Sequence, residues 1–249
     1  MSLFENGDPN YFNATRHPLP CLLFVLPLLL AYEGCVYTLG GSHPEVLRNG
    51  ADNWLRLGLA ALGVTYSWVP PLLLLLLFGW WAYLRREGRP KDLVGTLSGM
   101  GIESVAYALG LWGISWLVVP MLRNTGIEMA AADTPTDTNP ILQIVPYIGA
   151  GIYEEAMFRL TLFSGLAWIL KRLEMLPSLG IILAALASAT LFSTAHHIGP
   201  QGQPYSNYLF VFRLIAGLYF AALFQLRGFG VAVGAHACYN VMVSVSSGA

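Results

Sequence analysis

Charge is scarce in this chain. Charged residues make up 11% of the 249, with 13 Lys and Arg against 14 Asp and Glu, for a net charge of −1. That leaves no basic footprint for nucleic acid, and nucleic-acid binding is set aside. Cysteine is also rare: Cys21 and Cys35 would stand about 21 Å apart on one helix at 1.5 Å per residue, and Cys238 lies far along the chain. No disulfide framework follows, and the three read as small apolar packers. Internal repeats, heptads and low-complexity tracts are missing as well. The segments between apolar blocks are too short to fold alone, so residues 1–249 are read as a single membrane-embedded domain with a motif-bearing core at about 141–245.

What the chain has instead is apolar sequence in long blocks, 55% hydrophobic overall. Crossing a bilayer takes roughly 17 to 25 apolar residues. Blocks of that order lie at 19–37, 57–84, 93–119, 141–170, 179–195, 208–226 and 229–245. The expectation is an all-α protein, a polytopic transmembrane helical bundle of about seven to eight helices. The first block starts late and lacks a small-x-small cleavage site, so it reads as a retained helix.

Positive charge collects at Arg85, Arg86, Arg89 and Lys91, at Lys171 and Arg172, and at Arg227. The positive-inside rule makes those loops cytoplasmic and predicts an N-terminus on the same side. The alternate loops, 40–53, 123–140 and 199–207, then lie outside. The 123–140 loop, with Asp133 and Asp137, reads as a linker in preference to a lid. Trp54, Trp68, Trp80, Trp81, Tyr83 and Trp168 fall mostly near block ends, as an interfacial belt does. Ala184, Ala185, Ala187, Ser188, Ala189, Ala216 and Gly217 suit close helix approach.

Against this background stands Glu154-Glu155-Ala156-Met157-Phe158-Arg159, inside the fourth block. Ionisable groups are costly at membrane depth, so function is the default reading. Glu155 and Arg159 share a helix face at i, i+4 and neutralise each other, while Glu154 points about 100° away and is left unpaired. Pro146, Gly149 and Gly151 just before the glutamates predict a bend or break in that helix. Two further pairs recur at i, i+4: Phe192 with His196, and His236 with Asn240.

This inventory suits amide hydrolysis. A carboxylate held out of water is a stronger base, so Glu154 is the candidate base for water, with His196 sharing that activation or protonating the leaving amine. His236 and Asn240 are candidates for stabilising the tetrahedral oxyanion. His17 and His43 are read as structural, His197 as orienting His196 or facing the loop, and Glu33 as an interfacial residue. Glu103 is matched with Arg213 inside the bundle, or Arg213 snorkels to the outer edge.

The three motifs, in this order and each in a hydrophobic span, resemble those of the CPBP family, the CAAX protease and bacteriocin-processing (Abi) group of membrane proteins. EExxxR is Glu154, Glu155 and Arg159; FxxxH is Phe192 and His196; HxxxN is His236 and Asn240. The resemblance implies a glutamic-type intramembrane endopeptidase. Glu154 and His196 would activate water, His236 and Asn240 would form the oxyanion site, and Glu155, Arg159 and Phe192 would support them. It also implies eight helices, which calls for an additional short helix within 40–53 or around Ile141.

By the same resemblance the substrate is a membrane-associated or exported protein cut near its C-terminus, lipidated or carrying a C-terminal sorting tail. The membrane is that of a bacterium, and no cofactor is needed. Two readings compete. One is a zinc metalloprotease with Glu154, His196 and His236 as ligands, though no HExxH helix is present. The other is a non-catalytic scaffold, transporter or self-immunity protein in which the same groups bind an ion or hold helices together.

Overall fold

The computed structural model describes residues 10–124, 140–199 and 202–247. Every regular element among them is helical: α1 (Tyr11–Ala14), α2 (Pro18–Leu39), α3 (Gly50–Ala61), α4 (Val69–Leu84), α5 (Leu93–Asn124), α6 (Pro140–Glu154), a π-helical segment (Glu155–Phe163), α7 (Ser164–Arg172), α8 (Pro177–Ala195), α9 (Asn207–Arg227) and α10 (Phe229–Ser247), with 3-10 turns at Pro44–Val46 and Arg86–Gly88. Among these, α2, α5, α8, α9 and α10 are long and apolar enough to cross a membrane, and α4 is a shorter apolar helix. The chain is an all-α polytopic bundle and an integral membrane protein. Most of the 123–140 loop lies outside the described residues.

Start signals are local. Pro18 opens α2 behind His17, whose ring accepts the Leu19 amide at 3.2 Å. Asn49 caps α3 by accepting the Asp52 amide at 3.0 Å.

The structure corrects the second sequence block, 57–84, which is not one span. Gly63 takes φ +83, a left-handed conformation that ends α3, and Pro70 and Pro71 restart the chain at α4. In the 40–53 window the structure has a 3-10 turn at Pro44–Val46 followed by α3, which begins at Gly50. It is amphipathic and packs on α4 and α6.

The fourth block runs as one uninterrupted helical rod from Pro140 to Arg172. Pro146 does not break it. The irregularity falls at the glutamates, as a change of winding from α to π.

Between helices in lipid there is little hydrophobic driving force, so close packing and hydrogen bonds hold them together. Helix α10 is central: it packs against α2, α5, α6, α9 and the π-segment, and Val231, Ala232, Val233 and Ala235 are wholly buried. Small residues make this possible. A Cβ on Gly151 would stand 2.8 Å from the Ala237 Cβ and 2.9 Å from the Val233 carbonyl, so α6 and α10 touch backbone to backbone there. Gly217 of α9 meets Ala189 of α8 in the same way.

Glu103 pairs with Arg227, at 2.8 and 2.9 Å, and not with Arg213. Arg227 is 4% exposed, so it is an internal ion pair and not a loop cation. The bundle has distinct ends. The His17 ring bonds the Arg85 carbonyl at 2.9 Å and Arg16 bonds the Gln225 carbonyl at 3.0 Å. The N-terminal segment thus shares an end with the basic loop that follows α4.

Candidate active site

The π-segment sets the position of both glutamates. Its i→i+5 winding leaves carbonyls misaligned for ordinary helical bonding, and hydroxyls take them up. Thr161 Oγ1 donates to the Ala156 carbonyl at 2.9 Å, Ser164 Oγ to the Arg159 carbonyl at 3.0 Å, and Ser188 Oγ of α8 to the Phe158 carbonyl at 2.7 Å. These three hydroxyls satisfy the freed carbonyls.

Glu155 and Arg159 are fully buried and paired at 3.2 Å. The same Glu155 Oε1 meets His236 Nδ1 at 2.7 Å. Arg159 donates to the Gly217 carbonyl at 3.2 Å and lies over the Phe192 ring, 4.3 Å from its centroid. One guanidinium thereby ties the π-segment to α8 and α9 through charge, hydrogen bond and cation–π contact. Phe192 also meets the His196 ring edge-on at 4.8 Å, and Phe220 stacks on His236 at 4.3 Å and 15°.

Glu154 is buried and faces the other way. Its Oε1 accepts the Asn49 side-chain amide at 3.2 Å. Its Oε2 has no hydrogen-bond partner and stands 3.7 Å from His196 Nε2 and 3.7 Å from His236 Nε2. The tautomers follow from the far sides of the rings. His196 Nδ1 lies 2.8 Å from the Phe192 carbonyl, which only accepts, so that nitrogen carries the proton. His236 Nδ1 donates to the Glu155 carboxylate by the same logic. In neutral rings both Nε2 atoms are lone pairs, and three acceptors face one another with no donor between them. A buried arrangement of that kind calls for a water molecule or another donor at its centre.

A cleft of about 100 Å³ opens onto Glu154 and His196 and is walled by Trp54, Phe158, Ile198 and Gln203. Trp54, assigned to an interfacial belt by its position in the sequence, also lines this cleft.

Of the residues singled out from sequence, Glu154, Glu155, Arg159, Phe192, His196 and His236 come together. Asn240 lies one turn beyond His236 on α10, partly buried, with no hydrogen bond to the other site residues among those described. Sequence reasoning missed Asn49, Phe220 and Gln203. Only Asn49 carried a legible signal, as a helix N-cap followed three residues on by Asp52, and that signal marks a helix start and not a contact with Glu154. Among the described residues no group of three His, Cys, Asp or Glu side chains is arranged as a metal site.

A family model described as type II CAAX prenyl endopeptidase Rce1-like matches residues 136–242. That stretch contains all three motifs, and the match is to the CAAX protease group whose motifs they resemble. No curated protein and no solved structure matches the chain.

Proposed function

We propose, from the premise that residues 136–242 are an Rce1-like domain of a membrane protease, that this chain hydrolyses a peptide bond with water activated by Glu154 and His196. The observation that carries the reading is the unpartnered Glu154 Oε2 facing two imidazole lone pairs at 3.7 Å. A water placed there donates one proton to the carboxylate and one to His196 Nε2, which leaves its oxygen lone pairs free to attack. As the new C–O bond forms, a proton passes to Glu154 or His196. That proton later goes to the amine nitrogen as the C–N bond breaks.

His236 is held at Nδ1 by the Glu155 carboxylate and turns Nε2 to the reacting atoms, from where it serves the oxyanion once that nitrogen carries a proton. Asn240, one turn on, is placed to add an amide donor once a substrate fills the site. Glu155, Arg159 and Phe192 hold the histidines in register, and the whole chain acts as one membrane-embedded unit. No cofactor is required by this scheme.

The second reading is a zinc-dependent protease with Glu154, His196 and His236 as ligands, although these three are not arranged as a metal site in the structure. Cleavage by purified protein separates the two. With membrane-associated and prenylated peptides as substrates, Glu154→Gln abolishes cleavage with thermal unfolding nearly unchanged, and a chelator leaves wild-type activity intact. Chelator-sensitive activity restored by zinc would move the assignment to the metal enzyme, and wild-type rates in Glu154→Gln would remove both.

Orientation follows from the ends of the bundle. The residues at 85–91 and at 171–172, together with the N-terminal segment bonded to Arg85, form a basic end that we place in the cytoplasm of a bacterial inner membrane. His196 ends α8 at the far side from Lys171 and Arg172, so the cleft opens on the outer half. A membrane-anchored or exported protein fits that placement as substrate. Cysteine accessibility labelling at the two ends checks it, and labelling of residues 85–91 from outside would reverse it.

A further inference from the structure

Gln203 is fixed on three sides. Its backbone N–H donates to the His196 carbonyl at 2.9 Å, and its backbone carbonyl meets His197 Nδ1 at 3.1 Å. Its side-chain oxygen accepts from Arg213 Nη2. A guanidinium only donates, so the amide oxygen faces Arg213 and the NH2 group points away from it. That NH2 bonds to none of the described residues.

The residue stands where a substrate would meet it. Gln203 lines the cleft that opens onto Glu154 and His196, among the apolar walls of Trp54, Phe158 and Ile198. A peptide that enters such a cleft leaves water, and its backbone carbonyls then need donors. The other polar groups on the wall are committed elsewhere. Glu154 as a carboxylate only accepts, and the neutral His196 ring spends its one N–H on the Phe192 carbonyl. A Cβ on Gly199 would stand 3.1 Å from Trp54 Nε1, so that edge of the indole is turned to the backbone at 199. Gln203 brings two N–H donors. Arg213 acts on it from behind: its charge at the amide oxygen orients the group and strengthens the N–H as a donor.

We propose that the Gln203 NH2, held in place by Arg213, donates to a backbone carbonyl of the peptide substrate beside the scissile bond. Gln203 is then a substrate-positioning residue and Arg213 its support. The assignment rests on the hydrolytic reading of Glu154 and adds how the peptide is seated. Because the contact is to the main chain, it contributes equally to peptides with different side chains.

The test uses the full chain in detergent carrying Glu154→Gln, a fluorescent prenylated peptide, and copies of it in which one peptide bond at a time is replaced by an E-alkene, which keeps the shape and removes the carbonyl. One copy is expected to bind about five- to ten-fold more weakly than the parent. Adding Gln203→Met should weaken the parent by a like factor and leave that copy unchanged, the mark of a direct bond. Gln203→Glu, which keeps an acceptor for Arg213 and carries no donor, should lose the same discrimination. With Glu154 intact, Gln203→Met should raise KM and spare kcat, by the same factor for every peptide that is cut. The proposal is overturned if no copy loses affinity, if the loss persists in Gln203→Met, or if Gln203→Met lowers kcat at unchanged KM, which would make Gln203 a support of His196 only. Coupling between Gln203 and one peptide bond without cleavage of any peptide would sink the hydrolytic reading and leave the seat standing, whereas Glu154-dependent cleavage without coupling would do the reverse.

Discussion

Glu154 and Glu155 are neighbours in sequence with opposite fates. Glu155 is consumed by Arg159 and His236, while Glu154 keeps an oxygen free. Glu155→Gln strands a fully buried arginine, and a loss on the order of 3 to 5 kcal/mol is expected. Activity should fall with it, because the charge-assisted bond that holds His236 at Nδ1 becomes a neutral one and Gln can turn its NH2 toward the ring. Thermal or denaturant unfolding checks the first effect, and an unshifted midpoint would refute it. Asn49 allows a cleaner separation. Asn49→Ser keeps an oxygen that can cap α3 but is too short to reach Glu154 Oε1, now bonded at 3.2 Å. Its unfolding midpoint should stay close to wild type while the cleavage rate drops, whereas a rate equal to wild type would make Asn49 a cap only.

At the scale of elements, the contact between α6 and α10 sets how Glu154 and His236 meet. Gly151 lies three residues before Glu154, and any Cβ there collides with backbone of α10 at 2.9 Å. Gly151→Val should push the two helices apart, costing about 1 to 3 kcal/mol, and should lower activity further than the stability loss explains. Cleavage measured well below the unfolding midpoint isolates the second effect. The π-segment is the other device at this scale. By widening the winding between Glu155 and Phe163 it turns Arg159 toward α8 and α9 without a break in the rod, with Thr161, Ser164 and Ser188 supplying donors to the displaced carbonyls. Pro146 and Gly149 drew attention to this helix, but the hydroxyls that stabilise its irregular part lie after the glutamates and partly on another helix.

For the molecule as a whole, the matched region 136–242 holds the motifs, yet the first half of the chain builds the other side of the site. Asn49 and Trp54 come from α3 and its N-cap. Behind them Tyr32, Glu33, Arg48, Asp52 and Arg56 form a network of charges. Arg48 meets Asp52 at 2.6 Å and Glu33 at 3.2 Å, Arg56 bridges the same two acids, and Tyr153, next to Glu154, donates to Glu33 at 2.6 Å. Burial disfavours the Arg48 charge, but Asp52 and Glu33 outweigh it and hold its pKa above the ordinary value. Residues 136–249 expressed alone are therefore expected to be inactive and poorly folded, since α2, α4 and α10 share one core with α6. Circular dichroism and cleavage of the fragment decide this, and an active fragment would contradict it.

Hydropathy and helical spacing are local properties, so the sequence by itself determined most of the helices and the motif residues they carry: Glu154, Glu155, Arg159, His196 and His236 needed no fold to be noticed. It also determined that Glu155 would neutralise Arg159, because both sit on one helix face. Tertiary structure decided what faces what. Glu103 took Arg227 in place of Arg213, the block at 57–84 divided at Gly63, and Asn49 reached Glu154 across 105 positions. Such pairings depend on the relative rotation and height of separate helices. Those are set by small-residue contacts such as Gly151 on Ala237 and Gly217 on Ala189, which no single helix records in its own sequence.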